Sequence, residues 1–304
     1  MRLAMVGLGK MGMNMTRRLL QGRHQVVAFA RSPGTVREAV RYGAVGACSL
    51  EDAVRRLKPP RVVWLMIPAG KPVQDSVALL SRLLSPGDVV VDGGNSHYKE
   101  DARNLEVLSA RGVRYLDDGV SGGIWGLKEG YCLMVGGDPK TFKLLEPALK
   151  TLAPKEGYAL VGPTGSGHYV KMVHNGIEYG MMQAYAEGFD LLDCSKFDID
   201  LPRVAALWNR GSVVSSWLLE LAADALGKDP ELKAFKGCVE DSGDGRWTVL
   251  DAVENKVPAQ VIADALFARF RSRRQDSFAD RLLSALRNQF GGHAVRPARG
   301  RHAH

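Results

Sequence analysis

Short apolar runs alternate with amphipathic stretches through the first half of the chain. Residues 3–6, 25–30, 61–67, 88–92 and 113–117 are apolar at consecutive positions and read as strands. Between them, residues 11–21, 36–42, 73–84 and 97–111 carry helical spacing. Strands that are apolar throughout, and not at every second position, are buried on both faces. Together with the β-α-β rhythm this predicts a largely parallel sheet with helices on both sides. Residues 131–135 and 159–161 are two further candidates to extend the sheet.

The rhythm ends at Gly162-Pro163-Thr164-Gly165-Ser166-Gly167. Beyond it the periodicity is helical: residues 169–193 suit one long helix, and 202–208, 215–225, 258–271 and 277–290 suit shorter ones. The predicted organisation is an α/β domain over residues 1–163 and an all-α domain over 164–295. Residues 296–304 form a basic tail with no expected order.

Composition narrows the class. With 304 residues, 45% hydrophobic and 24% charged, the chain has material for two packed cores. Cys48, Cys132, Cys194 and Cys238 are far apart and form no CxxC pair, which argues against a zinc site and a disulfide framework. The first strand starts at once, with no room for a signal peptide, and no apolar run is long enough to span a bilayer. A cytoplasmic protein with no membrane partner is expected. The net charge of +8 suits anionic small molecules. No basic surface interleaved with aromatics is evident, so nucleic acid is not an expected partner.

The chemistry begins at Gly7-Leu8-Gly9-Lys10-Met11-Gly12, a GxGxxG turn between the first strand and the first helix. In that context the first glycine permits a tight turn, the second lets backbone approach a pyrophosphate, and the third packs helix on strand. The helix N-terminus offers N–H groups to the phosphates. The fold class is therefore a Rossmann-type doubly wound sheet followed by helices, and the cofactor a nicotinamide dinucleotide. A chance glycine cluster is the plainer alternative. At the end of the second strand an acid would hold the ribose 2′-hydroxyl of NAD. Here the sequence is Ala30-Arg31-Ser32. Arg31 and Ser32 can hold a 2′-phosphate, so NADP is favoured and NAD stays open. Arg31 stacked on adenine would be neutral between the two.

A second constellation follows the glycine break. Lys171, His174, Asn175 and Glu178 stand at i, i+3, i+4 and i+7 on one helical face. A solvated face is the plain reading. However, Gly176 and Gly180 each cost about 1 kcal/mol in an exposed helix, which argues for close packing, and an inward polar stripe needs a ligand or a partner surface. Asn95, in Asp92-Gly93-Gly94-Asn95-Ser96, and Ser121-Gly122-Gly123 each follow a predicted strand, where ligands of such sheets bind. Taken singly, either is equally an ordinary turn.

These four segments, with Lys171-Met-Val-His-Asn-Gly-Ile-Glu-Tyr179 the most specific, together resemble the decarboxylating 6-phosphogluconate dehydrogenases over nearly the whole chain. The length resembles the short bacterial form within the β-hydroxyacid dehydrogenase superfamily. The resemblance implies oxidative decarboxylation of 6-phosphogluconate to ribulose 5-phosphate and CO2, in the pentose phosphate pathway and gluconate utilization. It implies Lys171 as general base and Glu178 as the acid that protonates C1. Asn95, Ser121, Gly122, Gly123, His174 and Asn175 would hold the substrate, and Asn95 would also reach the nicotinamide. Tyr179 and Arg269 would contact its phosphate, and no metal is expected. Arg287 to His293 resembles a segment that enters the neighbour's site, implying a homodimer or homotetramer. One loop departs from the long-form pattern. Ser242 and Asp244 stand where a lysine and a threonine would hold phosphate, so Arg246 takes over, or the contact differs, or the preferred acid does. Two other functions stay open: a dehydrogenase of an unphosphorylated β-hydroxy acid, and a dinucleotide-binding protein without catalysis.

Overall fold

The computed structural model describes residues 1–291 together with Ala294 and Arg296. It contains two compact units, Met1–Gly176 and Ile177–His304. His293 and nearly all of the basic tail lie outside the described residues.

In the first unit β1 (Arg2–Val6), α1 (Lys10–Gln21), β2 (Gln25–Phe29), α2 (Pro33–Arg41) and β3 (Val45–Gly46) are followed by α3 (Leu50–Arg55), β4 (Val62–Leu65) and α4 (Lys71–Leu83). Then come β5 (Val89–Asp92), α5 (Asp101–Ser109), β6 (Arg114–Ser121), α6 (Gly126–Glu129), β7 (Cys132–Gly137), α7 (Pro139–Leu152) and β8 (Tyr158–Gly162). The strands form one eight-stranded sheet in the order β3-β2-β1-β4-β5-β6-β7-β8. Every pairing is parallel except β6 with β7. The chain reverses direction across the sheet between β1 and β4, so a crevice opens at their carboxyl ends, the place where such sheets bind ligands.

Both faces of the sheet are buried, as the continuous apolar runs predict. Leu3, Met5, Trp64, Val91 and Leu116 pack beneath Met15 and Leu19 of α1 and Leu145 and Leu149 of α7. Ala4, Val6, Val63, Leu65, Val90 and Tyr115 face the other way, toward Val73, Val77 and Leu80 of α4. Successive residues of one strand thus enter different cores.

Several elements differ from the sequence reading. α3 and α7 are absent from it, although each opens on a capping residue. Ser49 accepts from the Asp52 N–H, and Asp138 accepts from the Thr141 N–H with Pro139 in the first turn. The helix expected over 97–111 is a 3-10 turn, Tyr98–Glu100, followed by α5. β6 runs on through Ser121, so Val120 and Ser121 are strand residues and not part of a loop. Antiparallel pairing with β7 extends it, from Leu116 opposite Gly137 to Ser121 opposite Cys132.

One buried group in this sheet has no evident structural use. Asp118 of β6 is fully buried, with no hydrogen-bond partner on either carboxylate oxygen. Burial pushes its carboxyl well above the ordinary range. An unpartnered buried polar group destabilises. Asp118→Val is therefore expected to stabilise the protein by about 1–3 kcal/mol, read as a higher melting temperature. A lower one would show that the carboxyl makes a stabilising interaction.

A long helix, α8 (Ser166–Asp193), begins in the first unit and continues into the second. The second unit adds α9 (Leu201–Trp208), α10 (Trp217–Lys228), α11 (Asp244–Glu254), α12 (Gln260–Ser272) and α13 (Phe278–Gly291). α11 starts inside the stretch read as a phosphate loop. The described cores of this unit are small: Ala205, Leu219 and Leu226 in one, Tyr179, Ala265 and Leu266 in the other. No helix among the described residues is long and apolar enough to cross a membrane.

Candidate active site

The glycine turn shows why each of its three glycines is needed. Gly7 has a φ of +96°, and a Cβ there would strike the Met66 carbonyl. A Cβ at Gly12 would strike the Gly7 carbonyl. Gly9 is different: its backbone is extended, with φ −65° and ψ −175°, and a Cβ would meet nothing within 4 Å. Gly7 and Gly12 are thus required by the fold, and Gly9 is not. Its missing side chain leaves open space at the N-terminus of α1, whose N-cap supplies no side-chain hydrogen bond. A phosphate fits such a place. Leu8 is buried, Lys10 is exposed and Met11 is partly buried at this turn. Arg31 and Ser32 are exposed just past β2, and Ser32 precedes α2 without capping it by its hydroxyl.

Asn95 is exposed on a turn held from below by Asp92. The Gly94 N–H donates to Asp92 Oδ1 (3.0 Å) and the Ser96 hydroxyl to Oδ2 (2.7 Å). Ser121 ends β6, with Gly122 and Gly123 next, both at positive φ.

The start of α8 lies directly on the sheet. A Cβ at Gly119 would meet the Lys171 Cβ and the Gly167 carbonyl, and one at Gly136 would meet the Asp117 carboxylate. One at Gly167 would meet the Met134 and Asp117 carbonyls. Asp117 caps this helix, accepting from the Gly165 N–H (2.7 Å) and the His168 N–H (3.0 Å). Lys171 is therefore set over Gly119, two residues along β6 from Ser121. His174, one turn further along, places Nε2 3.4 Å from Ser121 Oγ and Nδ1 3.0 Å from Asn175 Oδ1. Lys171, His174 and Ser121 thus converge on one edge of the sheet, whereas Asn95 reaches that edge from β5.

Sequence reasoning missed several groups here. Cys132 pairs across the sheet with Ser121 and is exposed. Partial desolvation raises its thiol pKa, against a lowering by the positive charge of Lys171. Behind the lysine, His168 is buried with Nδ1 2.9 and 3.0 Å from the two oxygens of Asp101, which also accepts from the Tyr115 hydroxyl (2.7 Å). Burial by itself would lower the His168 pKa. The Asp101 hydrogen bond and charge, with Asp92 and Asp117 nearby, outweigh it and raise the ring to about 10. Burial raises Asp101 to about 6 against the pull of His168. The raised His168 ring favours an imidazolium facing the Asp101 carboxylate. Asp92, Asp101 and His168 bring potential ligand atoms within 4.8 Å of one another. Their carboxylates are already engaged by Gly94, Ser96, Tyr115 and His168, so the cluster reads as a hydrogen-bonded network. In sequence, His168 lay in the run leading to Lys171 and Asp92 opened the Asn95 turn, whereas Asp101, Tyr115 and Cys132 lay beside no recognisable motif.

In the second unit, Glu178 is partly buried on α8. The Arg269 guanidinium lies 3.7 Å over the Tyr179 ring and donates to the Glu240 carbonyl (2.8 Å). The Ser242 N–H donates to the Tyr179 hydroxyl (3.1 Å). Tyr179, Ser242 and Arg269 are thus brought together. Asp244 joins them only through Ser242: it is buried at the start of α11 and accepts from the Ser242 hydroxyl (2.7 Å). Arg246 pairs with Asp241 at 2.9 Å. A Cβ at Gly180 would be 3.2 Å from Val261, the close packing expected of a helical glycine. Gly176 is buried, and Arg287 is exposed on α13.

A glycine turn at the switch point of a doubly wound sheet, with an amine and an imidazole on the same edge, defines a dinucleotide-dependent oxidoreductase. Comparison with known proteins makes this specific. Residues 2–162 match the NAD binding domain of 6-phosphogluconate dehydrogenase, and residues 167–281 match the 6-phosphogluconate dehydrogenase C-terminal domain. The chain belongs to the 6-phosphogluconate dehydrogenase family. It is 45% identical to an NAD(+)-dependent, decarboxylating 6-phosphogluconate dehydrogenase of Haloferax volcanii, over 97% of this chain and 98% of that one. The decarboxylating enzyme of Bacillus licheniformis is 36% identical over 90% of this chain, which spans only 62% of that protein. The Plasmodium falciparum 6-phosphogluconate dehydrogenase, whose structures include complexes with NADP+ and 6-phosphogluconate, superposes with a TM-score of 0.83 at 29% identity. That match covers 99% of this chain and 67% of the other. A 3-hydroxyisobutyrate dehydrogenase of Mycobacterium tuberculosis, at 22% identity and TM-score 0.72, shares the fold.

Proposed function

We propose that this chain oxidises 6-phosphogluconate at C3 and decarboxylates it to ribulose 5-phosphate and CO2. The carrying observation is Lys171, set by the Gly119 contact on the same sheet edge as the glycine turn, Ser121 and His174. A bound nicotinamide supplies the hydride acceptor. Lys171 takes the proton of the 3-hydroxyl as C3 gives up its hydrogen as hydride, which leaves a 3-keto acid. Loss of CO2 then pushes electrons onto the ketone oxygen, to which Lys171 returns a proton. Glu178 protonates C1 of the resulting enediol. His174, Asn175, Asn95 and the Ser121-Gly122-Gly123 turn orient the acid, and no metal is called for.

Tyr179, Ser242 and Arg269 are the phosphate contacts this reading favours. Arg246, already paired with Asp241, is a weaker candidate. The first domain, residues 1–163, holds the dinucleotide, and residues 164–295 hold the acid and a second copy of the chain. We favour a homodimer or homotetramer, in which exposed apolar side chains of the helical unit such as Leu191, Phe197, Phe235, Val253 and Phe278 would be available for contact. Arg287 to His293 is the segment assigned to the neighbour's site. The enzyme is assigned to the cytoplasm.

NADP is the favoured cofactor because Ala30 offers no acid to a ribose hydroxyl, while Arg31 and Ser32 are exposed beside it. Ala30→Asp is expected to move the ratio of kcat/KM values toward NAD by about tenfold or more, since a carboxylate would repel a 2′-phosphate. An unchanged ratio would place the selectivity elsewhere. The function itself is tested by following reduced nicotinamide with 6-phosphogluconate and with gluconate, each with NAD and with NADP. Turnover only with the phosphorylated acid supports the reading. No turnover with either cofactor defeats it, and equal use of both acids favours the unphosphorylated alternative.

A further inference from the structure

The buried Asp101–His168 contact joins two segments that the proposed chemistry needs. Asp101 is the first residue of α5, at the end of the segment that carries Asn95. His168 lies in the first turn of α8, one turn before Lys171. Their contact is bifurcated, with the single Nδ1 at 2.9 and 3.0 Å from the two carboxylate oxygens, and both side chains are almost wholly buried. A second contact runs parallel to it: Tyr98, between Asn95 and Asp101, meets Tyr169 edge-on with centroids 5.0 Å apart.

Stability alone does not account for this arrangement. A buried ion pair gains little over apolar residues of the same volume, because desolvation offsets the attraction. A cation in the first turn also opposes the helix dipole. Asp117 at the cap and Asp101 on the ring both act against that cost. What the pair does supply is direction. One ring N–H shared between two carboxylate oxygens ties α8 to α5 at a single buried point with a preferred direction, which interchangeable apolar contacts lack.

We propose that the Asp101–His168 pair is a positioning device that locks the Asn95 segment to the first turn of α8, presenting Asn95 and Lys171 in one fixed geometry. Neither residue touches substrate. Each acts through the groups it holds, and a displacement of about 1 Å at a reacting group lowers turnover by roughly 100-fold. The inference rests on the reading of Lys171 as the base.

The test is a double-mutant cycle on kcat, with dinucleotide affinity measured separately by energy transfer from the protein to bound reduced cofactor. Asp101→Asn is isosteric, and His168→Gln keeps a hydrogen-bonding side chain, so the packing is disturbed as little as the position allows. Each single variant is expected to lower kcat roughly 10- to 100-fold, with dinucleotide Kd and substrate KM within about threefold of wild type. The double variant should lose no more than the worse single one, because both changes remove the same link. The proposal is overturned by a single variant with kcat within about threefold of wild type, by losses that multiply in the double variant, or by dinucleotide affinity falling in step with kcat. Lys171→Met, measured alongside, separates the two levels. Turnover surviving in Lys171→Met defeats the base assignment itself. An inactive Lys171→Met beside a fully active His168→Gln defeats only the positioning role.

Discussion

Lys171→Met is expected to lower kcat by about 1000-fold or more, the span that a positioned general base contributes, with dinucleotide Kd and melting temperature unchanged. Methionine keeps the aliphatic stem and removes only the amine. The backbone position does not depend on that amine, because the Lys171 Cβ is seated over Gly119 and α8 is capped by Asp117. The fold should therefore tolerate the change, and the loss should appear in the chemical step. Steady-state kinetics with a separate binding titration decides it. Residual turnover above about one tenth of wild type would mean that another group removes the proton.

Gly9→Val is the second large effect, and it separates binding from stability. The space beside Gly9 is open and its dihedral angles suit any residue, so the melting temperature should not move. Dinucleotide affinity should fall by about 100-fold, the equivalent of roughly 2.7 kcal/mol, because the new methyl groups stand where a pyrophosphate must approach the N-terminus of α1. Gly12→Val, three positions on, should instead destabilise the unliganded protein, since its Cβ meets the Gly7 carbonyl. If Gly9→Val bound the cofactor normally, the phosphates would lie elsewhere. If it melted early, the space would be needed by the fold.

These glycines show what could be read from sequence. The GxGxxG spacing, the strand before it and the helix after it are local, so the turn was legible. The separate tasks of the three glycines were read from the motif, but the group that excludes a side chain at Gly7 was not, because it is Met66, a residue brought alongside by β4. The same distinction runs through the rest. Apolar runs revealed most of the sheet, but α3 and α7 were missed where capping residues mark their starts and no long apolar stripe stands out. The extension of β6 through Ser121 comes from pairing with β7, which no local pattern predicts. The stripe from Lys171 to Glu178 was legible from helical spacing. Asp101, Asp117 and Cys132 were not, because strands and helices far apart in sequence carry them to the lysine. Asp244 is a different kind of difference. It stands where a threonine would meet phosphate in the long form, a departure already visible in sequence, and in the fold its carboxylate accepts from the Ser242 hydroxyl at the start of α11.

The contacts of Gly119, Gly136 and Gly167 carry a consequence for how such an enzyme can diversify. They fasten the proposed base to the same compact unit that bears the glycine turn. With Lys171 as the base, the group that receives a proton and the surface that receives the hydride acceptor share one frame, built entirely from residues before Ile177. Tyr179, Ser242 and Arg269, assigned to the far end of the acid, belong to the other unit. Substrate range can then drift through substitutions in the helices while the redox machinery keeps its dimensions, and no compensating change in the sheet is required.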